Sequence, residues 1–172
     1  MISTNLQKIY ESRFSSLENY RQNVWKILCK EYFQQYISEN ADVLELGAGW
    51  GEFINNIKAS SKIAIDLNPA TKTHLNKDII FLQQDCSEDW QTNKSNLDVI
   101  FTSNFLEHLP SKEKIEKTIE QAYKCLKANG IIICLGPNIK FLPGAYWDFW
   151  DHYIPLTETS ITELLKFKGF DI

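Results

Sequence analysis

The residues best placed to do chemistry are three glycines at alternate positions, Gly47, Gly49 and Gly51, within the stretch VLELGAGWGEF. A short apolar run, Val43 to Leu46, precedes them and reads as a buried strand. A helix-compatible segment follows from Phe53. Strand, glycine turn and helix open a βαβ unit, whose helix N-terminus leaves backbone N–H groups open to a ligand. Glycine suits such a turn because the chain must reverse sharply and a ligand must approach bare backbone. The same stretch also reads as a tight strand–helix turn that binds nothing.

The flanking side chains narrow the ligand. The dinucleotide fingerprint G-x-G-x-x-G keeps its sixth position small so that helix and strand can close up. Here that position is Glu52, and a second carboxylate, Glu45, stands just before the first glycine. Both sit badly beside a pyrophosphate. They suit a cofactor without phosphate that carries a sulfonium and an ammonium group, S-adenosylmethionine (SAM). Asp66 lies 19 positions after Gly47, at the end of a second apolar run, Lys62–Ile65. An acid at that distance can accept both hydroxyls of a ribose; a turn-forming strand-end Asp is the alternative. Asp85-Cys86 follows a third run, Ile79–Leu82. The Asp85 carboxylate there can accept from an exocyclic amine and the Cys86 N–H can donate to a ring nitrogen, or Asp85 caps a short helix over CSEDW.

Two histidines lie within reach of acid–base work. His108 falls in SNFLEHLP, just beyond the tip of a fourth strand, Leu97–Thr102, whose unbroken apolar character suits a parallel sheet covered on both faces. It reads as a base or as a hydrogen-bonded loop histidine. His152 follows Asp151 in FLPGAYWDFWDHY, which also holds Phe141, Tyr146, Trp147, Phe149, Trp150 and Tyr153. Such a loop suits a ring-shaped or sugar-like acceptor, with Tyr146, Trp147, Trp150 and Tyr153 as its contacts. It serves equally as satellite core or as a dimer contact. An Asp-oriented imidazole favours His152 as the base.

The elements that must position these residues follow from periodicity. Leu6, Ile9, Tyr10, Phe14 and Leu17, then Val24, Ile27, Leu28 and Tyr32, recur at helical spacing. They predict two amphipathic helices ahead of the first strand, a cap over residues 1–40, with ENYRQNVWK between them. Arg21 in that stretch either meets a carboxylate or stays solvated. Trp50, inside the glycine turn, either shapes the pocket or packs. Asn68-Pro69 starts a helix, Asn as cap and Pro in the first turn. Ser111 caps a long helix with Ile115, Ile119, Ala122 and Leu126 on one face. Asn129-Gly130 ends it, with Gly left-handed. Ile131–Leu135 is a fifth strand closed by Gly136-Pro137-Asn138. Thr157 caps a last helix, with Ile161, Leu164 and Leu165 inward, Gly169 stopping it and Phe170 packing back. Phe170–Ile172 then begins another strand.

Composition sets the class. The 172 residues are 44% hydrophobic and 23% charged, which is enough for one soluble domain with a proper core. A net charge of −4 with no basic stripe disfavours nucleic acid. No apolar run is long enough to span a membrane, and the N-terminus lacks a secretion pattern. Cys29, Cys86, Cys125 and Cys134 form no C-x-x-C and have no histidine at ligand spacing, so reduced thiols, no metal and a cytoplasmic setting are expected.

Taken in order, VLELGAGWG, IAIDLNP, FLQQDCSE, LDVIFTSNFLEHLP and LKANGIIICLGPN resemble the class I SAM-dependent methyltransferases over roughly 42–138. The resemblance implies a Rossmann-like, doubly wound, mostly parallel sheet of order 3-2-1-4-5, with SAM across its C-terminal edge. It implies that Glu45, Gly47, Ala48, Gly49 and Gly51 meet the methionine part, Asp66 and Leu67 the ribose, Asp85 and Cys86 the adenine, and that Asn104 lies beside the sulfur. Family members carry a further strand and an antiparallel partner after the last helix. Here the C-terminal strands look truncated: either the chain is cut short, or another subunit or segment covers the open edge beside the fifth strand, which invites homo-oligomers. Two rivals stay open. An NAD-type oxidoreductase is opposed by Glu45, Glu52 and the lack of a Y-x-x-x-K pair. The other is a non-catalytic module of the same fold.

Overall fold

The five apolar runs become five parallel strands: β1 (Asp42–Leu46), β2 (Ser61–Asp66), β3 (Ile79–Gln83), β4 (Leu97–Ser103) and β5 (Leu126–Leu135). This is a computed structural model, describing residues 8, 12–13, 15–92 and 96–172. The sheet order is β3-β2-β1-β4-β5, as the motif order implies. Register is in phase through the centre, with Leu46 beside Ile65 on one side and Thr102 on the other. Because β1 pairs with both β2 and β4, strand order reverses there. The crevice of an open parallel sheet lies at that reversal, outside the C-terminal tips.

Apolar residues alternate to both faces of the sheet. On one face Val43, Ala64, Val99 and Phe101 pack with Phe33, Phe53, Ile54 and Ile57. The rings of Phe53 and Phe101 stack there at 3.6 Å. On the other, Leu44, Leu46, Ile63, Ile65 and Ile100 meet Trp90 and Ala122. Both faces buried is the reason these strands read as continuous apolar runs.

Ahead of the sheet runs a single described helix, α1 (Glu18–Glu31). The expected first helix falls largely outside the described residues, and ENYRQNVWK lies within α1 rather than between two helices. The helix also turns a partly different face inward. Ile27 and Tyr32 are exposed, whereas Trp25, Leu28 and Cys29 pack on the core. Those three keep the i, i+3, i+4 spacing of an inward stripe, so the periodicity was real and its phase matched only in part.

Shorter helices follow the first two strands, α2 (Glu52–Asn56) after the glycine turn and α3 (Thr71–His74) beyond Asn68-Pro69. The expectation that Asn68 caps α3 and Pro69 enters its first turn fails: the N-cap is Ala70, without a side-chain cap, and Asn68 accepts from the Ala70 N–H at 3.0 Å in the turn before it. CSEDW forms turns, not a helix, and Asp85 accepts from the Ser87 N–H. Helix α4 (Lys112–Cys125) is capped by Ser111 and buries Ile115, Ile119 and Ala122.

At the end of α4 the expectation of a left-handed Gly130 fails. The residue with positive φ is Asn129 (+66°), and β5 already begins at Leu126. Pairing with β4 breaks between Leu126 and Ile131, so 127–130 loop out of the ladder. Gly130 is needed for close approach, since a Cβ there would stand 2.9 Å from the Leu97 carbonyl oxygen.

The last helix, α5 (Glu158–Phe167), starts with a Thr157/Ser160 capping box. It ends with Phe170 N–H on the Leu165 carbonyl and Gly169 N–H on that of Lys166, a Schellman closure around Gly169 (φ +98°). Phe170 packs on Tyr123, and residues 170–172 form no strand. Among the described residues β5 is a sheet edge, with Ile131 and Leu135 substantially exposed.

Candidate functional site

All three glycines of the turn are left-handed, with φ of +64°, +54° and +71° at Gly47, Gly49 and Gly51. Side chains other than glycine pay for that conformation in strain. Space is equally restrictive: a Cβ on Gly47 would fall 2.3 Å from the Phe105 ring, and one on Gly51 would fall 2.6 Å from Leu75. Gly51 therefore packs against the segment after α3 and does not face the crevice. Trp50 packs too, buried and stacked on His74 at 4.8 Å.

The N–H groups of this turn are not open, contrary to expectation. Gly47 and Ala48 both donate to the Ile65 carbonyl, and Gly51 to that of Ala48. Gly49 N–H donates to the Asp66 carboxylate at 2.8 Å. At the start of α2 the Ile54 N–H donates to Glu45 Oε2 at 3.1 Å. Two carboxylates thus occupy the donors that a pyrophosphate would need, and a phosphate there would meet negative charge. This donor set fits a cofactor without phosphate.

Burial holds the Glu45 carboxyl well above the usual carboxylate range; the Ile54 N–H opposes that, while Glu52 and Asp66 add to it. Glu45 lies behind the turn and caps α2 instead of facing the cavity. Burial likewise raises Asp66, against the N–H groups of Asn68, Gly49 and Leu67. Leu67 beside it is exposed. At the β3 tip, burial would raise Asp85, but the Ser87 N–H and hydroxyl together with Lys114 (3.0 Å) outweigh it and hold the carboxyl low. Cys86 is buried; burial pushes its thiol up, and its carbonyl accepts from Trp90 Nε1 at 2.8 Å.

A cavity of about 420 Å³ opens at the β1/β4 reversal. Gly47, Ala48, Gly49, Glu52, Ser103 and Asn104 line its inner end; Tyr146, Phe149, Asp151 and His152 line its outer end, with His108 between. Asp66, Leu67, Asp85 and Cys86 stand at strand tips beyond this lining. Asn104 is left-handed (φ +46°), which turns the chain sharply after β4. The Ser103 hydroxyl is buried without a partner. Arg21 does meet a carboxylate: its Nε lies 2.7 Å from Glu52 Oε1, an acid only 8% exposed. An arginine from α1 thus compensates a buried charge beside the glycine turn.

At the outer end, the pairing differs from the one sequence proximity suggested. Asp151 orients His108 and not its neighbour His152. His108 Nδ1 lies 2.8 Å from the Asp151 carbonyl oxygen and 3.3 Å from its Oδ2. Since a carbonyl only accepts, Nδ1 carries the proton and the lone pair of neutral His108 is on Nε2. The His152 ring stands edge-on to His108 at 4.6 Å, and its Nδ1 is buried without a partner. Burial, then His108, lowers its pKa.

Of the four expected acceptor contacts only Tyr146 lines the cavity, its hydroxyl donating to the buried Glu107 at 2.6 Å. Trp147 Nε1 donates to the Leu142 carbonyl, Trp150 is 89% exposed, and Tyr153 is tied through its N–H to the Glu107 carbonyl. The loop splits into one wall residue and an outer fringe because residues 144–148 coil into a single 3-10 turn.

Arg13, Trp25, Ser103, Glu107 and Phe149 were not among the site residues expected from sequence, although Phe149 lay in the aromatic loop and Trp25 in ENYRQNVWK. Glu107 and Ser103 sat inside the SNFLEHLP motif and were findable there; Arg13 carried no local signal. His108, Asp151 and His152 each offer a ligand atom within 4.8 Å of the others. Both Asp151 oxygens, however, already accept from Arg13, at 2.6 and 3.1 Å. The cluster is an arginine-clamped acid–histidine pair, not an open ligand set.

Comparison with known proteins bears on the family and the fold. A family model described as a methyltransferase domain matches residues 17–172. No curated protein matches the chain. Among solved structures, a SAM-dependent methyltransferase from Archaeoglobus fulgidus superposes with a TM-score of 0.73 at 22% identity, covering 92% of this chain and 74% of that one. One from Clostridium acetobutylicum gives 0.70 at 15%, covering 100% and 89%. DhpI, solved as an SAH complex, gives 0.69 at 19%, covering 94% and 81%. At these identities the likeness is one of fold.

Proposed function

The chain belongs to the methyltransferase-domain family, a Rossmann-like enzyme with SAM as its cofactor, and from that premise we propose that it methylates a small-molecule acceptor held between His108, His152 and the aromatic loop. The supporting observation is the single cavity that runs from the glycine turn to Asp151 and His152. Methyl transfer needs donor and acceptor in one desolvated space.

Gly47, Ala48, Gly49, Ser103 and Asn104 are assigned to the methionine part, Asp66 with Leu67 to the ribose, and Asp85 with Cys86 to the adenine. Glu45 and Gly51 shape the turn from behind. SAM supplies, when bound, an electrophilic methyl group whose leaving group is a neutral thioether. The chain's own part is to position the nucleophile, keep water out and take a proton where one must leave. His108 Nε2, with Nδ1–H fixed by Asp151, is the assigned base. His152, whose buried Nδ1 has no hydrogen-bond partner, is assigned to orient the acceptor through that nitrogen. Trp25, Tyr146 and Phe149 suit a ring-shaped acceptor, and the acidic surface disfavours a nucleic acid.

The test is incubation with radiolabelled SAM and a panel of phenols, amines and sugars. Acceptor-dependent label transfer, with one SAH formed per methyl, is expected. Tight SAH binding with no transfer to any acceptor would mark a non-catalytic module instead. No helix among the described residues is long and apolar enough to cross a membrane. Association of two chains along the β5 edge is proposed on its exposed Ile131 and Leu135; sedimentation at rising concentration checks it.

A further inference from the structure

One contact within the cavity lining joins residues 138 positions apart. Arg13 approaches Asp151 with both terminal nitrogens, Nη1 to Oδ2 at 3.1 Å and Nη2 to Oδ1 at 2.6 Å. The same guanidinium lies over the Phe149 ring, 4.2 Å from its centroid. Side-chain exposures of 20% and 13% put the pair largely out of water, where a bidentate arginine–carboxylate contact is geometrically demanding. The Arg13 bonds, His108 and the Asp151 N–H together hold the Asp151 carboxyl below its usual range, against the burial that would raise it.

What Arg13 holds in place is more than a loop. Asp151 presents two acceptors to His108 Nδ1, its backbone oxygen and its carboxylate. Both depend on where residue 151 sits, and among the described residues Arg13 reaches it from the far end of the chain. The other charged or titratable groups facing His108 are His152 on the loop, Glu107 on its own turn and Asp66 at the β2 tip. None of these supplies the paired acceptors that Asp151 does.

We propose that Arg13 is a positioning residue for the acceptor side: by clamping both Asp151 oxygens it fixes the acceptors of the His108 Nδ1 proton, so that His108 presents its Nε2 lone pair to the cavity. The catalytic consequence rests on the reading of His108 given under Proposed function; the positioning itself does not.

Nitrogen-15 NMR of the three histidines in the full-length protein reads the tautomer without any acceptor. The expected result is neutral His108 with its proton on Nδ1 in the unaltered chain. In Arg13→Ala a large share of His108 moves to the Nε2–H form. Arg13→Lys, which keeps charge but loses the fork, falls between. Asp151→Asn matches Arg13→Ala, and the double variant adds nothing further. His74, stacked on Trp50, stays unchanged and serves as the control for folding. If Arg13→Ala does not fold, Arg13→Lys and Asp151→Asn carry the test. An Nε2–H tautomer in the unaltered chain, or a tautomer indifferent to Arg13 and Asp151, overturns the proposal. An SAH titration run alongside decides the cofactor reading separately, so the two failures are distinguishable.

Discussion

The glycine turn and the His108–Asp151 side of the site treat their acids in opposite ways. At the glycine turn, burial raises Glu45 and Asp66, and their partners are backbone N–H groups a short way along the chain. At the outer end Asp151 is lowered, and its partners are an arginine and a histidine from distant segments. The inner acids are costly to ionise without a cationic or hydroxyl-rich ligand. The outer acid is already compensated. One side keeps its acids buried among backbone N–H groups, while the other holds its acid assembled with charged partners.

The sharpest way to break this contrast is at Gly47. Gly47→Val forces a β-branched side chain into a left-handed position and into the Phe105 ring. It should cost more than about 3 kcal/mol in urea unfolding and weaken SAH roughly 100-fold or more. SAH affinity within threefold of the unaltered protein would mean the turn is not where the cofactor lies.

Next in size is Asp66→Asn. An amide keeps the shape but gives up the carboxylate that would accept from the ribose. SAH should weaken about 10- to 100-fold by calorimetry, or about 1.4–2.8 kcal/mol, and fold stability should fall as well, because the amide NH2 then faces one of the two N–H groups, of Gly49 and Asn68, that the carboxylate accepts.

Arg21→Ala strands Glu52, which is 8% exposed. Because Arg21 is itself 30% exposed, the loss should be about 1–2 kcal/mol, less than for a fully buried pair. A double-mutant cycle with Glu52→Gln should recover most of it.

The opposed acids also predict opposed pH slopes. Where the folded state holds a carboxyl proton more tightly than the unfolded chain, stability falls as pH rises. Glu45 and Asp66 therefore weaken the ligand-free fold from the ordinary carboxylate range upward through their raised values. Asp151 contributes stability that is present above its unfolded value and is lost as pH falls through its lowered one. Glu45→Gln should flatten the upper slope and Asp151→Asn the acid one. Equal effects of both variants on both limbs would dissolve the contrast. The smallest effect is expected at Trp150→Ala: at 89% exposure it should shift stability by under about 0.5 kcal/mol and leave SAH binding unchanged.

How much could be read from the chain follows the same division. VLELGAGWG, IAID and LDVIFTS specify strands buried on both faces, so their order and parallel pairing were legible as local pattern. Thr157 and Gly169 were legible for the same reason, since caps are decided within a turn of chain. The turn's N–H groups were misjudged because Glu45 and Asp66 reach back to them from neighbouring strand ends, which a linear motif does not display. The inward face of α1 was legible only in part: Leu28 packs as expected, but Ile27, as apolar as Leu28, and Tyr32 stay outside, and only the packed sheet decides that.

The outer end was least legible. His152 follows Asp151 in sequence, yet the backbone at 151 aims its carbonyl and carboxylate at His108. Four aromatic residues looked equivalent in the loop, but a single 3-10 turn sends Tyr146 to the cavity and leaves Trp150 in water. Arg13 acts through a fork spanning most of the chain, and nothing near it in sequence announces a partner.

The most direct measurement is calorimetric titration of the purified chain with SAH, repeated on Asp66→Asn and Asp151→Asn. One site per chain, weakened at least tenfold by Asp66→Asn and changed less than twofold by Asp151→Asn, is the result this account predicts. No binding to the unaltered chain, or an equal loss from both substitutions, would contradict it.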